Sequence, residues 1–194
     1  MMTAGDHSLY AAAWIAFGVL HSATAGATFR TGLGRFFGRG HRLAYNTLAV
    51  AQFAAVLAVG AWLGRTVADF SIATLVLALQ YAMLGAGLVL GLAALRSYRA
   101  GPFLGWAQLS GDDDDSQPLV TDALHARMRH PLYTAALLVL WGGVRNELGL
   151  ATAGWGSLYL LVGSMFEERR LIARYGDAYR SYRRATPRFI PQLF

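Results

Sequence analysis

Four stretches of this chain, Ser8 to Phe29, Leu43 to Gly64, Phe70 to Leu95 and Leu148 to Phe166, contain no Asp, Glu, Lys or Arg. Each matches the roughly 20 apolar residues that an α-helix needs to cross a bilayer. In hydrocarbon every backbone amide must be satisfied internally, which leaves helices or closed barrels as the spanning structures. A fifth run, Pro131 to Val144, is shorter. At about 1.5 Å per residue it covers about 21 Å, so it has to thin the bilayer or carry polar ends into the interface. A tight hairpin with Arg145, Asn146 and Glu147 at its tip joins it to the last span. The expected fold is all-α: a polytopic membrane helical bundle of about five transmembrane helices with a C-terminal amphipathic interfacial helix.

Composition agrees, since 55% of residues are hydrophobic, 14% are charged and the mean hydropathy is +0.37. Cysteine is absent, which excludes disulfides, thiolate metal sites and a cysteine nucleophile. All 17 basic residues are Arg, so lysine Schiff-base chemistry is excluded as well. The net charge of +6 comes from arginines that flank apolar spans rather than line a soluble face. Anionic lipid headgroups are therefore the expected partner, and nucleic acid is not.

Charge bias sets an expected orientation. Arg30, Arg35, Arg39 and Arg42 lie in the first connection without a carboxylate, whereas the second has only Arg65 and Asp69. The first connection should be cytoplasmic. Alternation then gives an outside N-terminus and a cytoplasmic C-terminus in a bacterial inner membrane. The first span lacks a basic leader and follows Asp6 and His7, so it reads as a mature helix rather than a signal peptide. Residues 1–194 read as one integral membrane domain, with a cytoplasmic loop over 97–128 and a hairpin plus cap over 129–194. The run Asp112 to Asp115 reads as solvated charge, because calcium loops alternate their ligands around a shaping Gly and end in Glu. Gly85, Gly87 and Gly91 read as sites of close helix approach.

The polar clusters at the ends of the last hairpin carry the candidate chemistry. His130 precedes Pro131, which fits the first turn of a helix and pushes its predecessor towards extended backbone. Tyr133, one turn further, offers a ring and a hydroxyl. Glu167 and Glu168 are expected to close the fifth helix, where the dipole disfavours anions, so a cation must compensate: Arg169, Arg170, Arg129 across the hairpin, or a ligand. Leu171, Tyr175, Ala178, Tyr179 and Tyr182 recur at helical spacing among arginines, as an amphipathic surface helix would. Phe189-Ile190-Pro191 then ends the element as a lid.

In order, Arg-His-Pro-x-Tyr, an apolar hairpin, Glu-Glu-x-x-Leu, Tyr-Gly-x-x-Tyr-x-x-Tyr-Arg and Pro-x-x-Ile-Pro span Val120 to Ile190. This order resembles the isoprenylcysteine carboxyl methyltransferase superfamily of integral-membrane, S-adenosylmethionine-dependent enzymes. Within it the chain looks most similar to the bacterial methanethiol S-methyltransferase and NnrU-like branch, with His21-Ser22, Tyr45-Asn46 and Phe103-Leu104-Gly105 as further matches. The resemblance implies that Leu124, Arg129, His130, Pro131, Tyr133, Glu167 and Glu168 line a site for S-adenosylmethionine. Arg169 is the candidate catalytic residue, orienting a small or lipophilic acceptor such as a thiol, lipid amine or carboxylate. No metal is implied. Asp122 and His125 depart from the family pattern, in which Gly and Arg often flank an aromatic. Two alternatives remain at this point: a haem-dependent NnrU-like isomerase or redox protein using His21, His125 or His130, and an NADPH-dependent enzyme like the sterol reductases, which share Arg-His-Pro-x-Tyr.

Overall fold

The computed structural model describes residues 1–96, 106–109 and 118–191, and every element among them is helical apart from one isolated bridge between Asp69 and Asn146. The aspartate run and Phe103-Leu104-Gly105 lie outside the described residues. Three helical stretches, Thr28–Leu63, Thr74–Arg96 and Glu147–Tyr175, are long and apolar enough to cross a membrane. The first helix, Ala4–Thr24, has 21 residues but is not among them, because Asp6, His7 and His21 dilute its apolar content. Pro131–Gly142 has only 12 residues, which span about 18 Å. The fold class is thus the expected all-α membrane bundle; of the about five spans expected, three have the length and apolar character to cross among the described residues.

The described helices fall into two compact units. One contains α1 (Ala4–Thr24), α2 (Ala27–Phe37), a 3-10 turn at Gly38–Gly40, α3 (His41–Leu63) and the short α5 (Trp106–Leu109). A capping box starts α1: the Asp6 amide donates to the Thr3 hydroxyl, and the Thr3 amide donates to the Asp6 carboxylate. Tyr10, Trp14, Phe17 and Phe53 form an edge-on aromatic cluster between α1 and α3. His21 meets Tyr45 across the same pair of helices, with Nε2 3.4 Å from the Tyr45 hydroxyl. That contact is the helix-packing hydrogen bond a polar residue in an apolar span needs.

The other unit contains α4 (Thr74–Arg96), α6 (Pro131–Gly142), α7 (Glu147–Tyr175) and α8 (Asp177–Ala185), with a 3-10 turn at Ala123–Ala126 ahead of α6. The most extensive helix pair is α4 with α6. Missing side chains make it possible: a Cβ on Gly142 would lie 2.6 Å from the Leu84 amide nitrogen and 2.7 Å from the Gln80 carbonyl oxygen. A Cβ on Gly87 would lie 2.9 Å from the Ala135 carbonyl oxygen, and one on Gly91 would make ordinary contact at 3.6 Å. Gly85 faces open space, so of the three glycines singled out in the third apolar run only Gly87 and Gly91 serve the packing.

At the hairpin tip the Arg145 guanidinium donates to Gln80 Oε1 at 2.8 Å and lies over the Tyr81 ring. Gln80 Nε2 donates to the Val144 carbonyl at 2.8 Å, and Asn146 caps α7 by accepting from the Gly149 amide at 2.9 Å. Trp141 ties α6 to α7 by donating to the Ser157 hydroxyl at 3.0 Å.

Two expectations change. Glu167 and Glu168 do not close a helix: α7 continues unbroken to Tyr175, because Glu and Arg are good helix formers once the chain leaves the apolar run. The aromatic stripe from Leu171 to Tyr182 does not lie on one helix either. Gly176 adopts φ 57°, a conformation that only glycine takes freely, and it turns the chain between α7 and α8.

Replacing Gly142 by Ala should destabilise this unit by about 1 to 3 kcal/mol despite alanine's better helix propensity, because the new methyl meets backbone that no rotamer change can move. Thermal unfolding of the Gly142→Ala variant in detergent, set against Gly85→Ala as the uncrowded control, measures this.

Candidate active site

The centre of the site is a carboxylate from the last third of α7 held by three donors from two other segments. Arg129 Nε and Nη2 donate to Glu168 Oε1 at 3.0 and 2.8 Å. Arg188 donates from Nε to Oε1 at 3.1 Å and from Nη2 to Oε2 at 3.0 Å. His130 Nε2 lies 3.2 Å from Oε1. A carboxylate only accepts, so Nε2 is the ring nitrogen that carries the proton in this contact. The Glu168 side chain is 3% exposed and that of Arg129 8%.

His130 is positioned by its neighbour in sequence. Pro131 occupies the first turn of α6, and the His130 backbone is accordingly non-helical at φ −125° and ψ 65°. Its ring stacks on Tyr133 one turn later, with centroids 5.1 Å apart and planes inclined by 23°. The other ring nitrogen, Nδ1, lies 3.5 Å from Glu167 Oε2. Glu167 and Glu168 thus meet the two edges of one imidazole, but their environments differ. The Glu167 side chain is 38% exposed, whereas Glu168 is enclosed by guanidinium groups.

A strap of extended chain after α8 completes the cluster. The Arg129 amide donates to the Pro187 carbonyl at 2.9 Å, and the His130 amide to the Arg188 carbonyl at 3.0 Å. The Thr134 hydroxyl donates to the Phe189 carbonyl at 2.8 Å, and Arg129 Nη1 reaches the Arg183 and Thr186 carbonyls. The Phe189 ring then lies 5.8 Å from that of His130.

Two α8 tyrosines back this arrangement. The Tyr182 hydroxyl donates to the His125 carbonyl at 2.6 Å, and Tyr179 packs edge-on to Tyr182 in full burial. Burial first, and then the nearby Glu168 carboxylate, push the Tyr179 hydroxyl up to about 12. Burial likewise holds the His125 imidazole below the ordinary histidine range, outweighing Asp122, which pulls it up. The aromatic stripe therefore packs on its own unit.

Of the residues expected at the site, the structure brings together Arg129, His130, Tyr133, Glu167 and Glu168. Pro131 is buried and acts by shaping the backbone before it. Leu124 is half-buried in the 3-10 turn, where its carbonyl accepts the Arg127 and Met128 amides at 3.1 Å. Arg169 is not brought to the cluster: it is exposed, with its guanidinium 5.5 Å from the Phe166 ring centroid. One residue along an α-helix is a rotation of about 100°, which carries it off the face that Glu168 occupies. The compensating cations are Arg129, as anticipated, and Arg188, which was not. The residues around Arg188 carry no sequence signal for this contact, because its reach to Glu168 depends on the chain reversal at Gly176.

Sequence comparison gives the cluster a context. Over 85 residues, 43% of this chain, the protein is 39% identical to methanethiol S-methyltransferase 2 of Bradyrhizobium diazoefficiens, covering 33% of that protein. Over 72 residues, 37% of the chain, it is 38% identical to methanethiol S-methyltransferase of Crocosphaera subtropica, covering 28% of it. The chain is similar to methanethiol S-methyltransferases. This agrees with the branch that the motif order resembles. The enzyme of the same name from Pseudomonas deceptionensis is 31% identical over 74 residues, again covering 28% of its length. The chain thus spans about a third of the length of the curated relatives it matches. No family model and no solved structure matches it.

His125 provides a test of the buried shell. Its folded-state value is lowered, so the unfolded chain binds the proton more readily and folding is opposed as pH falls. Stability should be full above the ordinary histidine value of about 6.5 and decline below it. Thermal melts between pH 8 and pH 5 should show this decline in the wild type and a shallower one in His125→Gln.

Proposed function

We propose that this chain takes part in S-adenosylmethionine-dependent methyl transfer to a small thiol or another lipophilic acceptor, at the cytoplasmic face of a bacterial inner membrane. The observation that carries the reading is the unequal pair of carboxylates around His130. Glu168 is already engaged by two guanidinium groups, and Glu167 retains solvent access beside a stacked imidazole and phenol. The donor set fits the cofactor. A half-buried carboxylate whose Oε2 has no hydrogen-bond partner among the described residues suits its ammonium, and the aromatic faces of His130 and Tyr133 suit adenine.

Glu167 is assigned to bind the cofactor's ammonium, and the stacked His130–Tyr133 pair to pack against the base. Glu168 is assigned to orient His130 through Nε2 rather than to touch the ligand. When bound, S-adenosylmethionine supplies a methyl group already activated on a sulfonium, so no residue of the chain has to become a covalent nucleophile. The protein's task is alignment and exclusion of water, which can supply a large share of the acceleration of a two-substrate displacement. The names of the similar proteins support a small thiol as acceptor. Apolar helices beside the polar cluster support entry of a lipophilic acceptor from the bilayer, and the arginine-rich first connection supports a cytoplasmic site.

Isothermal titration of detergent-purified protein with S-adenosylhomocysteine should give binding. Glu167→Gln should weaken it by about tenfold or more, the loss of a charge-assisted contact of roughly 1.5–3 kcal/mol. Headspace analysis after supplying methanethiol and S-adenosylmethionine should detect the methylated thioether. Folded wild type that gives neither heat nor product would sink the reading.

A further inference from the structure

We propose that Arg188 is a positioning residue: through Glu168 it holds the strap 186–191 against the His130–Tyr133 wall and so sets how firmly a ligand is retained beside Glu167. The proposal rests on the methyl-transfer reading for the identity of that ligand, but not for the tie itself. Arg188 falls on an unspecified position of the Pro-x-x-Ile-Pro element, so the motif gives it no role.

Three observations carry it. First, the strap lies beyond the end of α8, so past the Thr186 amide, which donates to the Tyr182 carbonyl, helix hydrogen bonds do not hold it, and its ties to α6 and the two residues before it are few. They are the Arg129 and His130 amides on the Pro187 and Arg188 carbonyls, the Thr134 hydroxyl on the Phe189 carbonyl and Arg129 Nη1 on the Thr186 carbonyl. From Pro187 onward these are bonds between neutral groups, and each is individually modest; the Arg129 guanidinium holds only the first residue of the strap. The Arg188 side chain adds the only charged group that the strap itself sends to α7 among the described contacts, with one bond to each Glu168 oxygen, at 3.1 and 3.0 Å. Such two-point guanidinium contacts are the stronger and more directional kind.

Second, Arg188 is the accessible partner. Its side chain is 34% exposed, against 8% for Arg129 and 3% for Glu168. Arg129 alone still neutralises Glu168, so loss of Arg188 does not strand a buried charge. It releases the strap while leaving the helix packing intact. Third, the strap carries a wall of the candidate site. Phe189, one residue on, places its ring 5.8 Å from His130, on the imidazole whose Nδ1 faces Glu167. A loosened strap therefore withdraws an aromatic contact from the imidazole assigned to the ligand.

The test compares wild type, Arg188→Gln, Arg188→Lys and Glu168→Gln as purified full chains, with thermal melts confirming that each is folded. Amide hydrogen exchange reads the strap without any ligand. In Arg188→Gln the Arg129 and His130 amides should exchange about tenfold faster or more while those of α4 do not change, the pattern of local rather than global opening. Affinity for S-adenosylhomocysteine should fall by about tenfold in the same variant and recover in part in Arg188→Lys, which restores the charge but not the two-point geometry. Adding Arg188→Gln to Glu168→Gln should cost little further affinity, because the two act through one contact. Unchanged protection of the two amides overturns the proposal, as does unchanged affinity in a folded Arg188→Gln. If wild type binds no S-adenosylhomocysteine, the methyl-transfer reading falls, and the exchange comparison alone decides on the strap.

Discussion

A carboxylate on the inner face of a mostly apolar helix has to find positive charge or lose its own, and much of the second unit is organised around how Glu168 does so. The two guanidinium groups that reach it come from opposite ends of the last 66 residues, Arg129 just before α6 and Arg188 in the strap after α8. Desolvating a charge is costly enough that one weak contact would not suffice. Bidentate arginines offset that cost, and in doing so they fix the entry of α6, the last third of α7 and the strap relative to one another. His130 is held in the same contact set, so the imidazole inherits its orientation from an ion-pair network rather than from its own packing alone.

Adjacent residues of identical type serve unlike ends as a result. Glu167 and Glu168 are chemically the same and sit on the same helix, yet one full peptide unit of rotation puts the second among guanidinium groups and leaves the first with access to water. A pair that reads in sequence as mutual repulsion is relieved in three dimensions by the two guanidinium groups on Glu168, while the imidazole lies between the carboxylates.

The apolar runs made the helical fold legible, and the Pro131 signal placed the start of α6 at the residue where the structure has it. Proline before an apolar run is a local rule that tertiary context seldom overrides. The end of α7 was not legible in the same way, because charge marks where hydrocarbon stops and not where hydrogen bonding stops. Arg129 could be anticipated across a short hairpin, since the connection leaves it few other places to lie. Arg188 could not, because its reach to Glu168 depends on the chain reversing at Gly176 and on the length of α8, and neither is a property of the motif around it. Arg169 adjoins Glu168 in sequence, but adjacency on a helix says little about shared direction, and its guanidinium lies against the Phe166 ring.

The far end of the α6–α7 hairpin is fastened differently. Arg145 grips Gln80 and the Tyr81 ring on α4, and the Phe70 amide donates to the Arg145 carbonyl at 2.8 Å. With that corner riveted and glycines pressing α4 onto α6, the hairpin is a cantilever whose give is confined to its free margin. At the opposite margin the strap is fastened to the same hairpin by hydrogen bonds, ion pairs and the Phe189–His130 ring contact, without interlocked helix faces.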